Sequence, residues 1–89
     1  MRTFSRANQF KKDIELARRR GKNLAKLRAV MDMLIDEAVL PPRLHDHPLK
    51  GPWIGSRDCH IESDWVLIYT LEGNHVRFER VGGHDDLFG

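Results

Sequence analysis

The chain has one cysteine, Cys59, among 89 residues. That excludes a disulfide framework and every structural zinc module that needs two or more thiolates. No apolar run approaches the ~20 residues that a bilayer span requires. The opening Met-Arg-Thr-Phe-Ser-Arg-Ala-Asn has no apolar core of the kind a secretory signal carries. No repeat, low-complexity tract or second composition block interrupts the sequence. These absences predict one domain over residues 1–89, cytoplasmic, with no membrane partner and a core just large enough to fold alone.

The net charge of +2 hides a division. Residues 1–28 hold ten basic and two acidic groups, a balance of +8, whereas residues 29–89 hold five basic and eleven acidic groups, a balance of −6. A basic half suits a polyanion such as RNA. A solvated helix face explains the same charges without one.

The periodicities predict an α+β fold in which a short N-terminal strand and a helical hairpin pack on a small, mainly antiparallel sheet. Arg2 to Phe4 reads as a first strand and Ser5 as the N-cap of a helix from Arg6 to about Arg20. Phe10, Ile14 and Ala17 give that helix its apolar stripe, and Gly21 ends it. Leu24, Leu27, Val30, Met31, Leu34, Ile35 and Ala38 predict a second helix to about Glu37. Pro41 to Ser56 is irregular and long for a plain connector. Strands follow at Asp58–Glu62, Trp65–Leu71 and His75–Val81. Cys59 and Ile61 are expected to face the core, with His60 and Glu62 on the opposite face. Val76, Phe78 and Arg80 are expected on one face of the last strand, with Arg77, Glu79 and Val81 on the other. His84 to Gly89 reads as a tail, His75 as a surface residue and His45 as a loop residue.

His47, His60, Asp64 and His84 lie in a loop, a strand, a turn and the tail, the places from which side chains converge on a cleft. Histidine exchanges protons near neutral pH. RNA carries its own nucleophile, the 2′-hydroxyl. Its cleavage therefore needs a base, an acid and a cation for the phosphorane, and Arg80 and Lys50 are candidate cations. Trp65 and Phe88 offer faces for base stacking, although Trp65 also suits a core position. The rival chemistry is a metal centre on His45-Asp46-His47 with His60 and Asp64, at a spacing that matches no compact motif.

Asp46-His47-Pro48-Leu49, Gly51, Trp53, Gly55, Arg57-Asp58, His60, Glu62, Asp64-Trp65, Leu67-Ile68-Tyr69, Arg77-Phe78-Glu79-Arg80, His84 and Leu87-Phe88-Gly89 together resemble the YafQ toxins. These belong to the RelE/ParE superfamily of bacterial toxin–antitoxin systems. The resemblance implies a RelE-like fold and a ribosome-associated, metal-independent endoribonuclease with no cofactor. It implies cleavage of mRNA in the A site of the 70S ribosome by 2′-OH attack. The family's functional positions fall on His47, His60, Asp64, Trp65, His84 and Phe88, and Arg80 matches a basic position of the superfamily. On this reading His84 is the general acid and Asp64 or His47 the base. His60 holds or shares the proton, Arg80 steadies the phosphorane and Phe88 positions a base. Arg19 and Lys22 on the basic helices would face ribosomal RNA. The implied partner is a cognate antitoxin, usually of the ribbon-helix-helix type, through which the pair would bind operator DNA. The alternative is a ParE-like toxin that acts by binding a protein target such as gyrase. Ser63, His45 and the Asp85-Asp86 pair depart from the family pattern.

Overall fold

The computed structural model describes residues 1–89. Five strands form one sheet: β1 (Thr3–Arg6), β2 (His47–Pro48), β3 (Arg57–Glu62), β4 (Trp65–Glu72) and β5 (His75–Gly82). Their order across the sheet is β1-β5-β4-β3-β2, with β1 parallel to β5 and every other pair antiparallel. Helices α1 (Asn8–Arg19) and α2 (Leu24–Ile35) follow β1, and a short α3 (His84–Phe88) follows β5. The fold is therefore the α+β arrangement expected. No helix is long and apolar enough to cross a membrane.

The apolar stripes of both long helices lie on one face of the sheet. Phe10, Ala17, Leu27, Val30 and Leu34 share a core with Cys59, Ile61, Trp65, Leu67, Tyr69, Val76, Phe78 and Val81. Phe10 and Phe78 stack with ring centroids 5.7 Å apart. At roughly 1.5–3 kcal/mol for each large apolar side chain, this face supplies most of the driving force for folding. Central strand β4 is buried on both faces, because Val66 and Ile68 pack on the opposite side under Leu87, Leu49 and Trp53. The second face is thus covered by the irregular 41–56 segment and α3, and the site forms at their junction.

Several boundaries differ from the sequence reading, each for a local reason. Ser5 does not cap α1. Its Oγ lies 2.8 Å from His75 Nε2, and Thr3 Oγ1 lies 2.8 Å from Nδ1 of the same ring. His75 is therefore a clip between β1 and β5, and the strand runs on to Arg6. Ala7 donates its N–H to Phe78 O at 3.0 Å, so the helix starts only at Asn8. At the far end Gly21 takes φ +75° as expected, and Lys22 donates to Ala17 O at 3.0 Å in a Schellman turn. The second helix stops at Ile35 because Glu37 itself turns left-handed, with φ +62°. On β5, a register shift opposite Ile68/Tyr69 pairs Tyr69 with Phe78 and Ile68 with Arg80. That bulge turns Val81 into the core, opposite to the face assigned by simple alternation.

Candidate active site

The register of the sheet builds the site. Cys59 and Ile61 point into the core, so Asp58 and His60 share the outer face of β3. His47 on β2 is paired directly with Asp58. On the other side of β3, His60 pairs with Val66, and Val66 pairs with Gly82 at the end of β5. From there Gly82 and Gly83 let the chain fold back so that Leu87 sits on Val66 and Ile68. A Cβ on Gly82 would stand 3.1 Å from Asp86 Cβ and 3.3 Å from Leu87 Cδ2. His84, at the start of α3, is thereby brought over the same face.

Three segments distant in sequence meet around His60. Its ring centroid lies 5.4 Å from His84, 5.6 Å from His45 and 6.4 Å from His47. The Phe88 ring is 6.1 Å from His84 and remains 45% exposed, accessible for stacking on a base. Beside His60, His45 and His47 opens a cleft of about 660 Å³, also lined by Arg43 and Glu62.

Asp64 and His84 form one couple. Asp64 Oδ1 accepts the His84 backbone N–H at 3.0 Å and lies 2.7 Å from His84 Nδ1. The backbone N–H of His84, and then its ring, hold the Asp64 carboxyl below its ordinary range. The ring is thus oriented with Nε2 as its free nitrogen.

His47 and Asp58 form the second couple. His47 Nδ1 is 3.1 Å from Pro48 O, which can accept its proton. His47 Nε2 stands 2.7 Å from Asp58 Oδ1. The contact is an ion pair when the imidazole carries both protons, and the buried Asp58 Oδ1 makes no hydrogen bond of regular geometry. The Asp58 side chain is only 4% exposed. Burial raises its pKa, opposed by the nearby histidines. Burial and then the neighbouring imidazoles lower the His60 pKa, with Asp58 opposing.

The other residues expected at the site divide. Trp65 is 1% exposed and belongs to the core, so it is no stacking platform; Lys22 Nζ lies 5.8 Å from its ring centroid. Arg80 is not a free cation among the histidines, because its Nε and Nη2 both donate to Asp13, at 2.8 and 3.1 Å. Its side chain lines a separate small cleft of about 180 Å³ with Arg20, Lys22 and Gly83. Arg18 pairs with Glu15 and Arg20 with Asp86, so Arg19 alone of the arginine triplet is without a carboxylate. Lys50 is exposed in the loop after β2. The metal set suggested by sequence is not assembled. Asp46 is taken by Arg57 and the Tyr69 hydroxyl, and Asp64 by His84. Asp58 is the residue that the sequence reading missed. Its signal was present, since it stands two residues before His60 and so on the same strand face.

The model of the YafQ family, bacterial toxins of type II toxin–antitoxin systems, matches residues 2–89. The chain belongs to this family. It is 46% identical over 89 residues to the mRNA interferase toxin YafQ of Escherichia coli K12, covering 99% of this chain and 97% of that one. The Escherichia coli DinJ–YafQ complex contains a chain that superposes with a TM-score of 0.94 at 46% identity, with both chains covered in full. A metal-bound toxin from Helicobacter pylori superposes with a TM-score of 0.91 at 34% identity, covering 99% of this chain and 100% of that one. The toxin fold is thus shared from end to end, helices included.

Proposed function

We propose that this toxin is an mRNA interferase, a ribosome-dependent endoribonuclease that uses two proton-transfer couples and no metal in catalysis. The observation that carries this reading is the pairing of each catalytic imidazole with its own carboxylate, His84 with Asp64 and His47 with Asp58. The His47–Asp58 couple takes the proton of the RNA 2′-hydroxyl, the carboxylate stabilising the imidazolium. The 2′-oxygen attacks phosphorus as the bond to the 5′-oxygen breaks. His84, protonated and held by Asp64, gives its Nε2 proton to the departing 5′-oxygen. The products are a 2′,3′-cyclic phosphate and a 5′-hydroxyl. Asp64, engaged with His84, is therefore an orienting group, and of the two bases expected from sequence this leaves His47, coupled to Asp58. His60, kept neutral by burial, stands between the couples and donates to the phosphorane. Phe88 stacks on a base. Lys22 leaves the adjoining cleft with a positive charge beside the Arg80–Asp13 and Arg20–Asp86 pairs, and Arg19 and Lys50 extend the RNA-facing surface.

The partner is a cognate antitoxin, in keeping with the DinJ–YafQ complex of the relative, with a ribbon-helix-helix end that takes the pair to operator DNA. The 70S ribosome and its mRNA are the target, in the cytoplasm. The test is to incubate the toxin with programmed ribosomes in EDTA and map mRNA 5′ ends. Cleavage should occur, and His84→Ala or His47→Ala should lower its rate by about 10²–10⁴-fold. Intact mRNA with poisoned gyrase would replace this reading with the ParE-like one.

A further inference from the structure

His45 and His47 both face His60, and the residue between them turns the other way. Asp46 Oδ1 accepts from Arg57 Nε at 3.2 Å and from the Tyr69 hydroxyl, and its Oδ2 accepts from Arg57 Nη2 at 3.2 Å. Arg57 and Tyr69 are direct partners across β3 and β4. A two-pronged guanidinium and a phenol therefore grip one carboxylate from adjacent strands. The Tyr69 ring belongs to the core under the helices and is 1% exposed. Burial, and then Asp46, push its pKa up, so the phenol stays a donor throughout the physiological range.

Little else holds this segment in place. Strand β2 spans two residues, and one of them, Pro48, has no N–H to give to the ladder. The segment is also a thin wall. The histidine cleft lies on one side of it, and a second cleft of about 480 Å³, bounded by Leu34, Pro41 and Tyr69, lies on the other. Packing therefore does not brace it from behind. His45 takes φ +49°, a left-handed conformation that a side-chain-bearing residue keeps only where its surroundings impose it. The anchored carboxylate next to it is what imposes it.

We propose that Asp46 is a positioning residue: clamped by Arg57 and Tyr69, it sets where the His47 ring stands relative to His60. Its bearing on cleavage rests on the nuclease reading, in which His47 is the base; the clamp itself rests only on the geometry. A reacting group misplaced by about 1 Å can cost ~10²-fold in rate. Asp46 faces away from the RNA cleft, so its loss falls on kcat rather than on KM.

The experiment uses the full chain on programmed ribosomes. Asp46→Ala should lower kcat by about 10–100-fold with KM little changed. Asp46→Asn, which still accepts from Tyr69, should recover part of that loss. Tyr69→Phe, which removes only the hydroxyl of the clamp, carries the same test with a smaller loss. In a His47→Ala background, Asp46→Ala should cost almost nothing more, because no ring is left at that position to place. Independently of cleavage, the imidazole C–H resonances of His45 and His47 should shift and broaden in Asp46→Ala, while those of His75, at the far edge of the sheet, stay put. Thermal melts would show that the variants are folded. Unmoved His45 and His47 resonances in folded Asp46→Ala and Tyr69→Phe overturn the clamp. Moved resonances with unchanged kcat, a loss carried by KM, or a full further loss on top of His47→Ala overturn the positioning role. A wild-type chain that leaves mRNA intact refutes the nuclease reading instead, and the resonances then decide the clamp by themselves.

Discussion

Asp13 is a carboxylate buried to 6% exposure between α1 and β5, and its removal should have a large and calculable effect. It accepts from Arg80 Nε at 2.8 Å, Arg80 Nη2 at 3.1 Å, the Val81 N–H at 3.1 Å and Gln9 Nε2 at 3.2 Å. In Asp13→Ala the buried Val81 N–H loses its acceptor, at a cost of about 1–3 kcal/mol. Breaking a buried ion pair costs roughly 3–5 kcal/mol. Arg80 keeps 23% of its side chain in solvent, which screens its charge and lowers that share to about 2 kcal/mol. The sum is about 3–5 kcal/mol, a large part of the ~5–15 kcal/mol that holds a domain together. At roughly 4–8 °C per kcal/mol for a chain of this size, Tm should fall by about 12–40 °C. Urea unfolding of cell-free-synthesised protein, followed by tryptophan fluorescence, measures this directly. Asp13→Ala/Arg80→Met should recover about 1.5–3 kcal/mol relative to the sum of the single changes, because no unpaired charge is left behind. A loss below ~1 kcal/mol for Asp13→Ala, or strict additivity in the cycle, would refute the claim that Arg80 is held by Asp13.

Other outcomes follow from the site and the core. Gly82→Ala should push α3 off the sheet by its contacts with Asp86 and Leu87, lowering cleavage at least tenfold while the melting temperature moves little; unchanged cleavage would mean that His84 tolerates displacement. Asp64→Asn should reduce the cleavage rate, since the His84 ring loses the carboxylate that orients its Nδ1; an unchanged rate in the folded variant would remove Asp64 from the site. Trp65→Phe should leave cleavage near wild type, whereas Trp65→Ala should cost about 3–5 kcal/mol of stability; normal stability with lost RNA binding would restore Trp65 as a stacking residue. Burial pushes the Cys59 thiol up to about 12, so iodoacetamide at pH 8 should label it only in denaturant, as mass spectrometry would read.

Much of the fold was legible because apolar periodicity reports burial directly. The stripe through Phe10, Ile14 and Ala17 and the run from Trp65 to Tyr69 located α1 and β4, and alternation placed His60 on the open face. What escaped were features set by partners far along the chain. Ser5 looks like a helix cap until His75, seventy residues away, takes its hydroxyl. Val81 follows alternation only if no bulge intervenes, and the shift depends on pairing with β4. Within the site, the convergence of His47, His60 and His84 was readable from motif resemblance. The division of labour among carboxylates was not. Asp46, Asp58 and Asp64 are equivalent as letters, and they differ only in what each touches: a guanidinium and a phenol, an imidazole Nε2, and a backbone N–H with its ring. Arg80 likewise needed Asp13 in view before its charge could be accounted for.

The parallel pairing of β1 with β5 bears on the order in which this toxin can fold. The first strand can find its neighbour only after Thr3–Arg6 meet residues 75–78, and His84 arrives later still. A nascent chain at about 5–20 residues per second therefore spends almost its whole synthesis without an edge for β1, a lid for Val66 and Ile68, or the His84–Asp64 pair. Such long-range pairing also slows folding after the last strand emerges. That interval leaves the apolar stripes of the helices uncovered until the sheet they pack on is complete.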